Sequence, residues 1–190
     1  MCQGRHIREL AGFSGQRACD RRLRKLVEAG YLKRERILYG VAGIYRNTSK
    51  VTKIVEGISG GPSRKIRVEQ IIHDVAVLDA AIFFNKRDGI EWDTIKTEIE
   101  LHRLDGFGIR KHRPDFVFTK DNKTICVEIE LALKSKDRFE KIMKDNYRVY
   151  DKQIWIVPSM ETKIAKTLAA KKKIYSNIEL LELSEVQKFE

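Results

Sequence analysis

Residues 113–118 read Arg-Pro-Asp-Phe-Val-Phe, and after a short polar break residues 124–131 read Thr-Ile-Cys-Val-Glu-Ile-Glu-Leu. Both stretches alternate and are rich in β-branched and aromatic residues, and Lys120-Asp121-Asn122-Lys123 between them is turn chemistry. The pattern predicts a hairpin with Asp121-Asn122 at its tip, which sets Asp115 across from Glu128. A period of two then puts Cys126, Glu128 and Glu130 on one face and Val127, Ile129 and Leu131 on the other. Carboxylates gathered on so small a patch repel and raise one another's pKa unless a positive group lies between them. A divalent metal ion is the usual answer. Arg110, Lys111 and Arg113 are near enough to supply part of the charge instead, and an acidic strand face turned to water needs no purpose at all. The same pattern recurs upstream in residues 94–101, where Glu98 and Glu100 are expected to share one face of a strand.

Pro114-Asp115 followed by Glu128-Ile129-Glu130 resembles the PD-(D/E)xK signature of restriction-endonuclease-like nucleases, over roughly residues 65–160. The resemblance implies an αβββαβ domain in which Asp115 and Glu128 hold Mg²⁺ or Mn²⁺. The third catalytic position, usually Lys, is Glu130 in this chain. Lys134, Lys141 and Lys144 are the nearby lysines that could stand in for it. Such a site suits phosphodiester hydrolysis, since a carboxylate-bound Mg²⁺ stabilises charge on the attacking and leaving oxygens and lowers the pKa of its bound water. Glu98 or Glu100 would add a further, water-mediated contact to the metal. Cys2, Cys19 and Cys126 are scattered, and His73, His102 and His112 lack ligand spacing, so zinc is not indicated.

The N-terminal part reads differently. Residues 7–11 form a short helix, Gly12-Phe13-Ser14-Gly15 a turn, and residues 16–29 a second helix closed by Gly30. Cys19, Leu23, Leu26 and Val27 recur at helical period as its buried stripe. Residues 31–38 and 44–48 alternate like strands about a glycine turn, which completes a helix-turn-helix with a β-hairpin wing. Residues 1–60 hold 13 Lys/Arg against 5 Asp/Glu, a net +8, whereas the other 130 residues hold 25 against 22, a net +3. A basic face on a recognition helix and wing is the electrostatic footprint of double-stranded DNA binding. Arg17 and Arg21, at the start of the helix, are expected at base edges, with Arg24 and Lys25 on the same surface. Lys33, Arg34, Arg36 and Arg46 are expected on phosphates. A winged helix ordinarily has one more helix ahead of this pair, so either the start is trimmed or misassigned, or a neighbouring segment or second subunit fills the gap. No aromatic stacking motif of the kind used for single-stranded RNA is visible.

The domains expected are a winged helix-turn-helix over 1–57, a linker over 58–64 and an α+β (α/β) nuclease-like domain over 65–190. In the last, helices are expected over 65–84, 137–150 and 162–173, with strands over 153–157 and 178–183. With 42% hydrophobic and 34% charged residues, no apolar run near the roughly 20 of a membrane span, and three unpaired cysteines, the composition points to the cytoplasm. The whole resembles the replication-relaxation family of plasmid and mobile-element proteins. The residues that carry the likeness are Ala18 through Leu32, His73-Asp74-Val75, Pro114-Asp115 and Glu128. That implies a role in plasmid replication, mobilisation or relaxation of DNA, with replication or mobilisation proteins as partners. A homodimer is a further expectation, since winged helices often bind as dimers. Two functions are expected to compete: a metal-dependent endonuclease or nickase, and a non-enzymatic DNA-binding protein whose nuclease-like domain serves dimerisation or docking.

Overall fold

The computed structural model describes residues 1–37, 39, 42–56, 68–106, 108, 111–132 and 134–188, and it is a mixed α+β chain. Contacts divide it into two compact units, Met1–Leu78 and Asp79–Glu190. The expected linker at 58–64 lies outside the described residues. The division instead falls inside one helix, Val68–Asp88, because Ile71 and Val75 on its first half pack with Ile37 and Ile44 of the first unit.

In the first unit, β1 (Cys2–Gln3) leads into α1 (Gly4–Leu10) and α2 (Gln16–Glu28), followed by β2 (Leu32–Glu35), β3 (Ile44–Asn47) and α3 (Ser49–Glu56). The stops of α1 and α2 use glycine where a left-handed residue is required: Gly12 at φ +63° after α1 and Gly30 at φ +72° after α2. At Gly30 the Tyr31 N–H returns to the Leu26 carbonyl, so the last turn of α2 keeps its hydrogen bonds while the chain reverses. The strands form an antiparallel sheet in the order β1-β3-β2, with Lys33 opposite Arg46 and Arg34 opposite Tyr45. The core gathers Cys19, Leu23 and Tyr45, with Val27, Ile7, Phe13, Leu32 and Cys2 packed against it. The strand β1 was not anticipated, and its Cys2 joins this core directly.

In the second unit, the rest of α4 (Val68–Asp88) is followed by β4 (Lys96–Thr97), α5 (Glu98–Asp105), β5 (Phe116–Lys120), β6 (Lys123–Ile129), α6 (Lys136–Val149), β7 (Lys152–Val157), α7 (Lys163–Lys171), β8 (Ile178–Glu182) and α8 (Leu183–Val186). The sheet order is β4-β5-β6-β7-β8. The hairpin forms in the expected register, Phe116 opposite Val127, and Asp121 and Asn122 take the positive φ values (51° and 59°) of a tight mirror-image turn. From β6 onward the strands run parallel, joined through α6 and α7, so this part of the sheet is covered on its faces. Trp155 and Val157 meet Phe139, Ile142 and Met143 of α6 and Ile164 and Leu168 of α7 on one face. On the other, Phe84 of α4 packs against Phe116 and Phe118, with ring centroids 6.3 and 5.2 Å away.

One expected strand is a helix. Residues 94–101 do not continue as a β-strand: only Lys96 and Thr97 pair with β5, and Glu98 begins α5. Thr97 accepts from the Glu100 N–H while the Glu100 carboxylate returns to the Thr97 N–H at 2.7 Å, a reciprocal cap that ends the strand and starts the helix. Glu98 and Glu100 therefore do not share a strand face.

Candidate functional site: an acidic centre beside a basic cleft

Strand β6 is central and covered, and it carries Glu128 into the interior, with Glu130 just past its end; both are only 3% exposed. An acidic face turned to water is thereby excluded. A buried carboxylate needs donors, because the cost of removing it from water is several kcal/mol unless it is hydrogen-bonded. Glu128 Oε1 takes two: His112 Nε2 at 2.7 Å and Asn146 Nδ2, from α6, at 2.8 Å. Burial pushes the Glu128 pKa up, the bond to His112 pulls it down, and the charge of Asp115 raises it again. The Asp115 carboxylate is therefore near enough to act on Glu128, as the hairpin register requires. Asp115, half-buried at the entrance to β5, accepts from the Ile129 N–H at 2.7 Å. Glu130 Oε2 accepts from Lys134 Nζ, four residues on. The charge of Lys134 lowers the His112 pKa.

His112 was not expected in the site. Burial lowers its pKa, but the hydrogen bond and charge of Glu128 outweigh that and hold it above the ordinary histidine value. His112 also lines a cleft of about 560 Å³, together with Glu98, His102, Lys111, Arg113, Arg138, Lys141 and Ile142. Glu98 thus lies near the centre, its N–H bonded to the Asp115 carbonyl at 3.0 Å and its carboxylate 3.7 Å from His102. Glu100 is placed otherwise: its carboxylate is exposed and occupied by the Thr97 cap. Of the lysines expected to replace the missing catalytic one, Lys134 bonds Glu130 and Lys141 lines the cleft, while Lys144 does neither. Arg113 is clamped by Asp105.

Asp115 and Glu128 could hold a divalent cation. The donor chemistry fits: two carboxylates set across the hairpin from each other offer the oxygen ligands that Mg²⁺ or Mn²⁺ prefers. Among the described residues no group of three or more His, Cys, Asp and Glu side chains forms a ready-made cage.

In the first unit, Arg17, Arg21, Arg24 and Lys25 are exposed on α2, on the side away from buried Cys19 and Leu23. None of the four has an ion-pair partner among the described residues. Lys33, Arg34 and Arg36 are also exposed. Charge on the strands is partly spent within the sheet: Glu35 lies 2.9 Å from Lys33 and 3.5 Å from Arg46, and its pKa is lowered, chiefly by the Lys33 hydrogen bond. The Arg34 guanidinium stands 5.9 Å from the Tyr45 ring centre.

Comparison of the chain with family models, with curated proteins and with solved structures returns no match. Among the described residues no helix is long and apolar enough to cross a membrane.

Proposed function

We propose that this chain is a double-stranded DNA-binding protein with a metal-assisted phosphodiester-cleaving centre. The first unit is read as a winged helix: α2 enters the major groove, Arg17 and Arg21 reach base edges, and Arg24, Lys25, Lys33, Arg34, Arg36 and Arg46 hold phosphates. The second is read as a restriction-endonuclease-like domain. The observation that carries the reading is the burial of Glu128, with Asp115 near it and His112 linking it to a cleft lined by Lys111, Arg113, Arg138 and Lys141. A buried acid of this kind suits a site that holds a divalent cation against a phosphate.

Asp115 and Glu128 are the residues that would hold Mg²⁺ or Mn²⁺, which when bound lowers the pKa of a water and offsets charge on the phosphate oxygens. The chain's own residues do the rest. Asn146 orients the Glu128 carboxylate, and the Ile129 N–H orients Asp115. Lys134 supplies beside Glu130 the ammonium that a Lys at position 130 would otherwise bring. The cationic cleft draws the phosphate in.

The resemblance to replication-relaxation proteins extends this to plasmid replication, mobilisation or DNA relaxation, with a homodimer as the acting form and replication or mobilisation proteins as partners. A second reading is a DNA-binding accessory or regulatory protein that does not cut. It is favoured by the same carboxylates being engaged by protein donors: His112 and Asn146 on Glu128, Ile129 on Asp115 and Lys134 on Glu130. Incubation with supercoiled plasmid in Mg²⁺ or Mn²⁺ separates the two. Nicking or linearisation by the wild type and none by Asp115→Ala is the expected result. Binding without cleavage by the wild type would leave the second reading standing.

A further inference from the structure

The cleft beside Glu128 holds more positive charge than the acidic centre accounts for. Of its cations, Arg113 is committed to Asp105, and His112 to Glu128. Lys111, Arg138 and Lys141 are exposed and have no ion-pair or hydrogen-bond partner among the described residues. Arg138 and Lys141 are three apart on α6, which puts both on one side of the helix, and Lys111 approaches from the segment ahead of β5. Three cations from two elements converge on one concavity in which Glu98, set 3.7 Å from His102, is the acid among the lining residues, and this excess of positive charge forms a site for an anion.

A second basic hollow in the same unit serves as the contrast. There Lys163, Lys166 and Lys171 line a shallow cavity of about 550 Å³ along α7. Two of the three are engaged: Lys166 with Glu161 at 3.2 Å and Lys171 with Glu140 at 2.9 Å. Cation density alone does not distinguish the two hollows; the availability of the cations does.

We infer that Lys111, Arg138 and Lys141 form a phosphate-binding subsite that takes a nucleotide unit by its phosphate and needs no metal to do so. A volume of about 560 Å³ is within the range that encloses a small ligand. Ile142 gives the cleft an apolar wall, and the imidazole of His102 a flat one. Arginine grips phosphate through paired N–H donors and lysine as a point charge, so the three together fix a phosphate in place. This rests on the proposed nuclease reading for its purpose, since a phosphate held here lies next to the group that contacts Glu128. It does not depend on cleavage for its test.

The test uses the full chain in EDTA, where no divalent cation is available. Two probes are titrated by calorimetry: thymidine 5′-monophosphate, which carries a free phosphate, and an oligothymidylate without terminal phosphates, which carries only internal phosphodiesters. Arg138→Ala/Lys141→Ala is compared with wild type and with Lys163→Ala/Lys166→Ala, a control that removes the same charge elsewhere. The double variant in the cleft should lose about tenfold or more in affinity, as expected for two charge-assisted phosphate contacts. For the oligonucleotide it should also lower the slope of log K against log salt by about 1.4. The control should change little. Binding of either probe on this pattern supports the subsite, and which of them binds tells whether an end or an internal phosphate is held. No binding by wild type, or equal losses in the cleft and control variants, would overturn it. Failure to nick plasmid would bear on the acidic centre alone.

Discussion

On α2, Arg17, Arg21, Arg24 and Lys25 stand exposed and without ion-pair partners among the described residues, whereas on β6 Glu128 is almost wholly buried and held by His112 and Asn146. The two regions place charge by opposite rules. Exposed cations cost little to keep, because water solvates them, and they stay available to a polyanion. A buried carboxylate is tolerated only with donors around it, so its geometry is set by the fold and its removal disturbs the fold. Binding charge can thus be changed with small structural effect, while the acidic centre cannot.

The largest effect expected from that contrast is in stability. Glu128→Ala should destabilise the second unit by about 3–5 kcal/mol, since it leaves His112 and Asn146 facing a void; urea unfolding measures it, and a loss as small as that of a surface mutation would break the comparison. Glu128→Gln keeps the shape and sharpens the test. It removes the acceptor charge that holds the His112 pKa up while burial, which lowers it, remains. The His112 titration followed by NMR should therefore move to lower pH in Glu128→Gln. The sign for stability follows. A histidine whose folded pKa is raised stabilises fully below its unfolded pKa, and that contribution is lost as pH rises through the folded value. Glu128→Gln should abolish this pH-dependent component in the neutral range; an unchanged profile would remove the His112–Glu128 pairing.

Arg21→Ala comes next. It should weaken duplex binding by about 1–3 kcal/mol if the side chain reads a base, yet shift unfolding by no more than about 0.5 kcal/mol. Equal affinity for Arg21→Ala and wild type in an anisotropy titration would take Arg21 out of the interface. The smallest effect is at Glu100. Its carboxylate caps α5, so Glu100→Ala should cost about 1 kcal/mol of stability. Any cleavage activity should be retained, because this carboxylate is spent on Thr97. Loss of cleavage with unchanged stability would return Glu100 to the metal site.

Much of this was legible in the residues, for local reasons. The β5–β6 hairpin follows from alternation and from Asp121-Asn122, two residue types that tolerate positive φ. The α2 stop at Gly30 and the buried strand at 153–157 follow likewise from short-range chemistry. The acidic stretch at 94–101 failed because its alternation was weighed without its cap. Thr97 and Glu100 carry the Thr-x-x-Glu spacing that starts a helix, and that signal outweighed the period of two. Other features had no local signal. The two-residue β1 is too short to leave a pattern. His112 and Asn146 meet Glu128 across 16 and 18 residues, one from an irregular segment and one from a helix, so only the folded chain joins them. That Glu128 would be buried also depended on which helices cover β6, which alternation within the strand does not encode.

The most direct test of the account titrates a labelled duplex, in EDTA, with wild type, Arg17→Ala/Arg21→Ala/Arg24→Ala and Asp115→Ala. The triple variant should bind roughly a hundredfold more weakly and lower the slope of log K against log salt by about 0.9, since of the three only Arg24 is assigned to a phosphate, while Asp115→Ala binds as wild type does. If all three bind alike with the same salt slope, the division between a binding face on α2 and an acidic centre on the β5–β6 hairpin is contradicted.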